Sequence, residues 1–310
     1  MLTLDKVFDA QTVLKNIIRE TNVVKSYGIA PDCELYLKPE NLQITGSFKV
    51  RGSAYKIAML SAEEKKKGVI ACSAGNHAQG VALAATKNGI KSLICLPDSA
   101  PISKVEATKG FGADVCLVEG CYDDAYQKAL ELKEKEGYTF VHPFDDENVI
   151  AGQGTIALEI FNDLDNIDAI VVPIGGGGLI SGIAYTVKQI RPSVKVYGVQ
   201  VSGAPSMYNS VKDGEIECLQ SVSTIADGIA VKQPGVNTYE LVKEYVDEIA
   251  LVTDDEVASA ILALIEKQKM IAEGAGAVAV AAVMFNKFDL KGKRVVALVS
   301  GGNIDVTSLS

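Results

Sequence analysis

From Val69 onward short apolar runs alternate with stretches whose apolar residues recur at helical spacing. The pattern predicts a strand at Val69-Ile70-Ala71-Cys72, a helix to about Asn88, a strand at Leu93 to Leu96 and a helix over Pro101 to Gly110. A strand at Ala113 to Val118, a helix over Asp123 to Glu136 stopped by Gly137, and a strand at Tyr138 to Val141 complete this run. Strands separated by helices pair in parallel through right-handed crossovers, so residues 68–145 are expected to form a small mobile lobe. A long helix through Ile156, Leu158 and Ile160 follows, then a fully apolar strand at Ala169 to Val172, a glycine run, a helix to Ile190 and a strand at Lys195 to Val201. Residues 202–237 carry weak periodicity and scattered Gly, Pro and Ser, which predicts short helices and loops. Thr253 to Glu256 reads as a capping box, after which Val257, Ile261, Leu264 and Ile265 share one helical face expected to be core. Gly274 to Phe285 reads as a small-residue helix, and Arg294 to Val299 as the last strand.

Ahead of these, an amphipathic segment is centred on Val13, Ile17 and Ile18, and a strand on Leu35 to Leu37. A helix runs from Lys49 to about Leu60, and Ser61 to Glu64 is another capping box, its helix ended by Gly68. Residues 1–67 and 146–310 are assigned together to a large lobe.

Composition narrows the functional classes. At 310 residues with 48% hydrophobic and 22% charged residues, the chain can bury a large core. No apolar run reaches the roughly 18 residues of a membrane helix, and the N-terminus resembles no secretion signal, so a cytoplasmic address is expected. A net charge of −9 argues against nucleic acid as a partner. The six cysteines lack metal-ligand spacing and read as buried, reduced core residues, and the two histidines, His77 and His142, are far apart, so no metal is expected.

Three stretches carry chemistry. Lys49 sits between Phe48 and Val50, where loss of hydration would lower its pKa and leave part of it as the neutral amine that an aldehyde requires; a surface lysine whose stem covers these neighbours is the alternative. Gly175-Gly176-Gly177-Gly178 lies between a strand and a helix, where main-chain N–H groups can wrap an anion. A nucleotide P-loop would need Gly-Lys-Ser/Thr where Leu179-Ile180 stands, and a dinucleotide fingerprint would need glycine at Ser181. A cradle for a small phosphate ester remains, beside the alternative of a tight turn. Ser73-Ala74-Gly75-Asn76-His77 occupies a similar place and suits a substrate carboxylate; Asn76 could also reach a cofactor oxygen, and a helix cap by Ser73 or Asn76 is the alternative. Ser300 to Asn303 falls at the C-terminal edge of its strand, where ligands of open α/β sheets gather.

In this order, Gly46-Ser47-Phe48-Lys49, Ser73 to His77, Ala151 to Thr155, Gly175 to Gly178, Ala226-Asp227-Gly228, Glu273 to Gly276 and Ser300 to Asn303 resemble the threonine and serine dehydratases. These are pyridoxal-phosphate enzymes of the tryptophan-synthase-β-like class. The resemblance implies fold type II, an α/β architecture of two lobes, each a mostly parallel sheet flanked by helices. It implies that Lys49 holds the cofactor and moves the Cα proton, that Phe48 and Asn76 contact the ring, that Gly175, Gly176, Gly177, Gly178 and Leu179 hold the phosphate, and that Ser300 faces the pyridine nitrogen. Ser73, Ala74, Gly75, Asn76 and His77 would take the substrate carboxylate. The expected reaction converts L-threonine to 2-oxobutanoate and ammonia, and L-serine to pyruvate. A β-replacement synthase, a serine racemase and a non-catalytic cofactor-binding regulator are the alternatives. Eukaryotic serine racemases carry a serine at the place of Ala74 and acidic metal ligands around the places of Gln200, Ala204 and Ser206, which weighs against racemase activity and a metal. The resemblance further implies a homodimer or homotetramer and leaves AMP or ADP open as an effector; the C-terminal regulatory domain that many relatives append is not expected here.

Overall fold

The structure, a computed structural model, describes residues 1–304. Thr3 caps the first helix, α1 (Leu4–Leu14), its hydroxyl accepting from the N–H of Lys6. Val7, Ala10 and Leu14 are its buried side, while Val13, Ile17 and Ile18 lie only partly buried at its margin and beyond. The helix therefore begins earlier than the amphipathic reading placed it, because Thr3 supplies the start signal. After the short β1 (Val24–Lys25) and β2 (Glu34–Pro39), the chain reaches α2 (Lys49–Ala58) and α3 (Ala62–Lys67). The capping box at Ser61 and Glu64 forms, and Gly68 ends α3 at φ +95°.

The βα alternation then closes as expected: β3 (Val69–Cys72), α4 (Asn76–Lys87), β4 (Ser92–Pro97), α5 (Ile102–Gly110), β5 (Asp114–Val118), α6 (Tyr122–Glu136) and β6 (Thr139–Phe140). Its four strands lie in the order β5-β4-β3-β6, every pair parallel. Next come α7 (Glu147–Asp163), β7 (Ala169–Pro173), α8 (Gly178–Ile190), β8 (Lys195–Val201), α9 (Ser206–Asp213), α10 (Val236–Tyr245), β9 (Glu248–Val252), α11 (Asp254–Ala263), α12 (Gly274–Met284) and β10 (Arg294–Val299). The second sheet has the order β1-β2-β10-β7-β8-β9, with only β1 antiparallel. Strands β7 and β10 read as continuous apolar runs because helices cover both faces of a parallel sheet. Inserting the last strand between β2 and β7 brings Ser300, the start of α2 and the start of α8 to one edge.

Two expectations need correction. Val257 and Leu264 are buried and Ile261 partly so, but Ile265 is 44% exposed. Behind α11 the chain widens into a turn in which the Lys269 N–H reaches the Leu264 carbonyl, and this change of pitch rotates Ile265 off the core face. Among the cysteines, Cys72 and Cys95 are buried, Cys33 and Cys116 partly so, and Cys121 and Cys218 exposed; all six are free thiols.

A buried ion network fixes α2 against α7. The Arg51 guanidinium, fully buried, donates to Glu40 Oε1 (2.5 Å) and Oε2 (3.0 Å), Glu159 Oε1 (2.8 Å) and Oε2 (2.7 Å), and Thr155 Oγ1 (3.1 Å). Lys38 Nζ adds a bond to Glu159 Oε2 at 2.5 Å, so two cations face two carboxylates. Buried charges persist when paired and hydrogen-bonded in this way. Two residues before Arg51, α2 begins with Lys49.

Candidate active site

Lys49 opens α2 directly after Phe48, and its Nζ lies 5.4 Å from the Phe48 ring centroid. Nζ donates to the Pro143 carbonyl at 2.8 Å. The residue keeps a partly open surface, as an amine that must meet a small molecule requires. The protein packed around Nζ strips its hydration and pushes the ammonium down from 10.5 to about 8, against the opposing pull of the Glu273 charge. Burial thus raises the neutral fraction of this amine above that of a solvated lysine, with the ammonium still the major form at neutral pH.

The glycine run forms the entry to α8. Gly177 stands at φ +99° as the N-cap and offers no capping side chain, so the N–H groups of Gly178, Leu179 and Ile180 begin the helix without one. Part of the glycine content is steric: a Cβ on Gly176 would collide with the Phe144 ring, and one on Gly178 with the Phe144 backbone. Thr238 Oγ1 donates to the Gly176 carbonyl at 2.6 Å, holding the run from its other side. The tight turn is therefore what the structure shows, and it leaves the helix start uncapped. An uncapped helix start of this kind has the donors and the dipole that a phosphate ester needs.

The loop before α4 supplies a second uncapped helix start. Its N-cap is Gly75, and neither Ser73 nor Asn76 caps it. The Ser73 hydroxyl instead accepts from the Gly75 N–H at 3.1 Å, and Ala74 is partly buried beside it. The His77 side chain turns away into the small sheet, where Nε2 bonds the Val141 carbonyl at 2.8 Å. Burial holds this imidazole neutral, pushed down to about 3, so only its main-chain N–H belongs to the loop. Asn76 Nδ2 donates to Glu273 Oε1 at 2.6 Å, and Asn76 Oδ1 accepts from Asn303 Nδ2 at 2.7 Å. One amide hydrogen of Asn76 remains for a cofactor oxygen.

Ser300 is buried, its hydroxyl donating to the Ala275 carbonyl at 3.4 Å. The last strand and the lysine stretch are laced together: Phe48 N–H to the Ser300 carbonyl (3.1 Å), Gly302 N–H to the Gly46 carbonyl (2.9 Å) and Asn303 Nδ2 to the Thr45 carbonyl (2.7 Å). Sequence reasoning missed one member of this group. Glu273 is buried at the start of α12, its carboxyl pushed up to about 7 by burial even though the Asn76 bond favours the anion. Its signal was the Glu273-Gly274-Ala275-Gly276 stretch, which marks a close backbone approach: a Cβ on Gly276 would strike the Gly301 carbonyl. Gln200 and Ser206 are buried, and Gln200 Oε1 accepts from the Tyr208 N–H at 2.8 Å. Among the described residues no cluster of three or more His, Cys, Asp or Glu side chains could hold a metal ion.

A low-pKa amine beside an uncapped glycine cradle fits pyridoxal phosphate, whose aldehyde and phosphate ester need those two partners. Comparison with known proteins agrees. The model of the family described as "Pyridoxal-phosphate dependent enzyme" matches residues 14–301. The L-threonine ammonia-lyase of Thermotoga maritima is 54% identical over 311 residues, covering 100% of this chain and 77% of that protein. The structure of maize serine racemase superposes with a TM-score of 0.96 at 34% identity, covering 99% of this chain and 95% of that one. The processed form of threonine deaminase isoform 2 from Solanum lycopersicum superposes with a TM-score of 0.94 at 38% identity, covering 98% and 86%.

Proposed function

The chain belongs to the pyridoxal-phosphate-dependent enzyme family, and from that membership we propose that it is a threonine dehydratase. It converts L-threonine to 2-oxobutanoate and ammonia, and L-serine to pyruvate and ammonia. The observation that carries this reading is the crowded amine of Lys49, held near pKa 8 beside the glycine cradle, in a chain 54% identical to an L-threonine ammonia-lyase.

Bound pyridoxal phosphate supplies an aldehyde for an amino group and a ring that stabilises negative charge at Cα. The main-chain N–H groups of Gly175 to Gly178 and Leu179 would hold its phosphate, and Phe48 and Asn76 would bound its ring. Lys49 Nζ would hold the cofactor at rest and take the Cα proton from the substrate. The main-chain donors of Ser73 to His77 orient the substrate carboxylate. Ser300 would turn its hydroxyl from the Ala275 carbonyl to the pyridine nitrogen, a neutral partner that would not force that nitrogen to stay protonated. Such a site favours departure of the β-hydroxyl as Cα loses its proton; water released at this step is consumed again when ammonia leaves.

The small lobe, 68–145, closes on the large one, 1–67 with 146–310, to exclude water. The two separate sheets support this division. Among the described residues no helix is long and apolar enough to cross a membrane. A homodimeric or homotetrameric assembly, with AMP or ADP as effector, rests on the family resemblance, and sedimentation with and without nucleotide tests both. The likeness to maize serine racemase makes racemisation the competing activity. Ala74 opposes it, having no proton to exchange on the second face of Cα. A single assay decides: L-serine should yield pyruvate in large excess over D-serine, and D-serine as the main product would reverse the assignment.

A further inference from the structure

Between β6 and α7 the chain makes one turn, His142-Pro143-Phe144-Asp145, that touches three parts of the site. The Pro143 carbonyl accepts from Lys49 Nζ at 2.8 Å. Phe144 lies so close to Gly176 and Gly178 that neither tolerates a Cβ. The Asp145 carboxylate accepts from the first N–H groups of α10, those of Val236 (3.0 Å), Asn237 (3.0 Å) and Thr238 (3.1 Å), and Thr238 in turn grips the Gly176 carbonyl. One imidazole holds this turn in shape. His142 Nδ1 accepts from the N–H groups of both Phe144 (3.2 Å) and Asp145 (2.8 Å), while its ring packs edge-on against Phe144 at 4.7 Å between centroids.

A nitrogen that accepts two N–H bonds carries no proton, so His142 is the neutral tautomer protonated at Nε2. Its surroundings favour that state: burial and the Lys49 charge on α2 oppose a second proton, outweighing Asp145 and Asp146 on its own segment, while His77 on α4 is itself neutral. We propose that His142 is a positioning residue for the reaction, its bare Nδ1 folding the 142–145 turn so that the Pro143 carbonyl registers Lys49 and Phe144 seats the glycine run. This rests on the reading that Lys49 holds the cofactor. Protonation of Nδ1 removes both bonds that shape the turn. Its pKa lies below 6.5, so cofactor retention is intact at neutral pH and declines as the pH falls beneath the ordinary imidazole range.

The test equilibrates holoenzyme with graded free pyridoxal phosphate between about pH 8 and about pH 5 and reads the visible absorbance of lysine-linked cofactor. Wild type is compared with His142→Asn, whose Oδ1 can replace the acceptor but cannot titrate, and with His142→Phe, which keeps the ring packing without an acceptor. At about pH 8 the Phe variant should bind the cofactor about 10- to 100-fold more weakly, the loss expected for two hydrogen bonds, and the Asn variant within about threefold of wild type. Wild-type affinity in the Phe variant, or equal weakness of both variants, would each overturn the proposal. Should the Phe variant fail to fold, His142→Leu, which also lacks the acceptor, takes its place in the same comparison. Absence of the visible band in wild type would instead overturn the reading of Lys49.

Discussion

Lys49 titrates in the field of Glu273, and the direction of that effect is fixed. Burial lowers the lysine to about 8, and the glutamate charge limits how far it falls. Glu273 itself sits at about 7, so it is an anion above that pH and neutral below it. Covalent cofactor uptake requires the free amine, and its rate should rise with pH through a midpoint near 8 rather than 10.5. Glu273→Gln removes the charge that raises the lysine, so the midpoint should move to lower pH, read in stopped-flow absorbance at fixed cofactor concentration. A midpoint shifted upward would contradict the coupling. At this scale the burial of Lys49 was legible only together with the other stretches, because its apolar neighbours alone also fit a surface lysine. Glu273 was marked only by its glycine-rich stretch and His142 not at all, because their partners Asn76, Phe144 and Asp145 matter through bonds that the folded chain creates.

The glycine run shows what an element adds. Its φ at Gly177 and its contacts with Phe144 demand glycine before any ligand is considered, and the helix start they create is what an anion can use. Gly176→Ala places a methyl against the Phe144 ring. It should destabilise the fold by about 1–3 kcal/mol, as overpacked sites do, and weaken cofactor retention as well. Urea unfolding and the visible absorbance check the two effects separately. Strand β10 was readable to the residue, because an apolar run bounded by polar residues leaves little freedom of placement. The stretch 238–252 was not assigned, although it holds most of α10 and all of β9. Helix α10 takes its cap from Asp145, about ninety positions away, and β9 is an edge strand only partly buried. Neither leaves a local mark.

For the whole molecule, alternation announced the two sheets, but not that the last strand enters the middle of the larger one. That insertion depends on pairing β10 with both β2 and β7, and it is what delivers Ser300 to Phe48. The buried charges were equally invisible, since Lys38, Glu40, Arg51 and Glu159 share no spacing. Arg51→Met should cost about 3–5 kcal/mol, because Lys38 alone would then face two buried carboxylates; the urea midpoint reads the loss. The Lys104–Asp227 pair at 3.0 Å joins α5 to the larger sheet's side, but Asp227 is mostly exposed, so it adds little to stability. All these arrangements converge on one amine. The most direct measurement of the account is 2-oxobutanoate formed from L-threonine by wild type and by Lys49→Ala, each folded and supplied with pyridoxal phosphate. Wild type should form 2-oxobutanoate and show the visible band of lysine-linked cofactor, and Lys49→Ala neither; turnover retained without that lysine would contradict it.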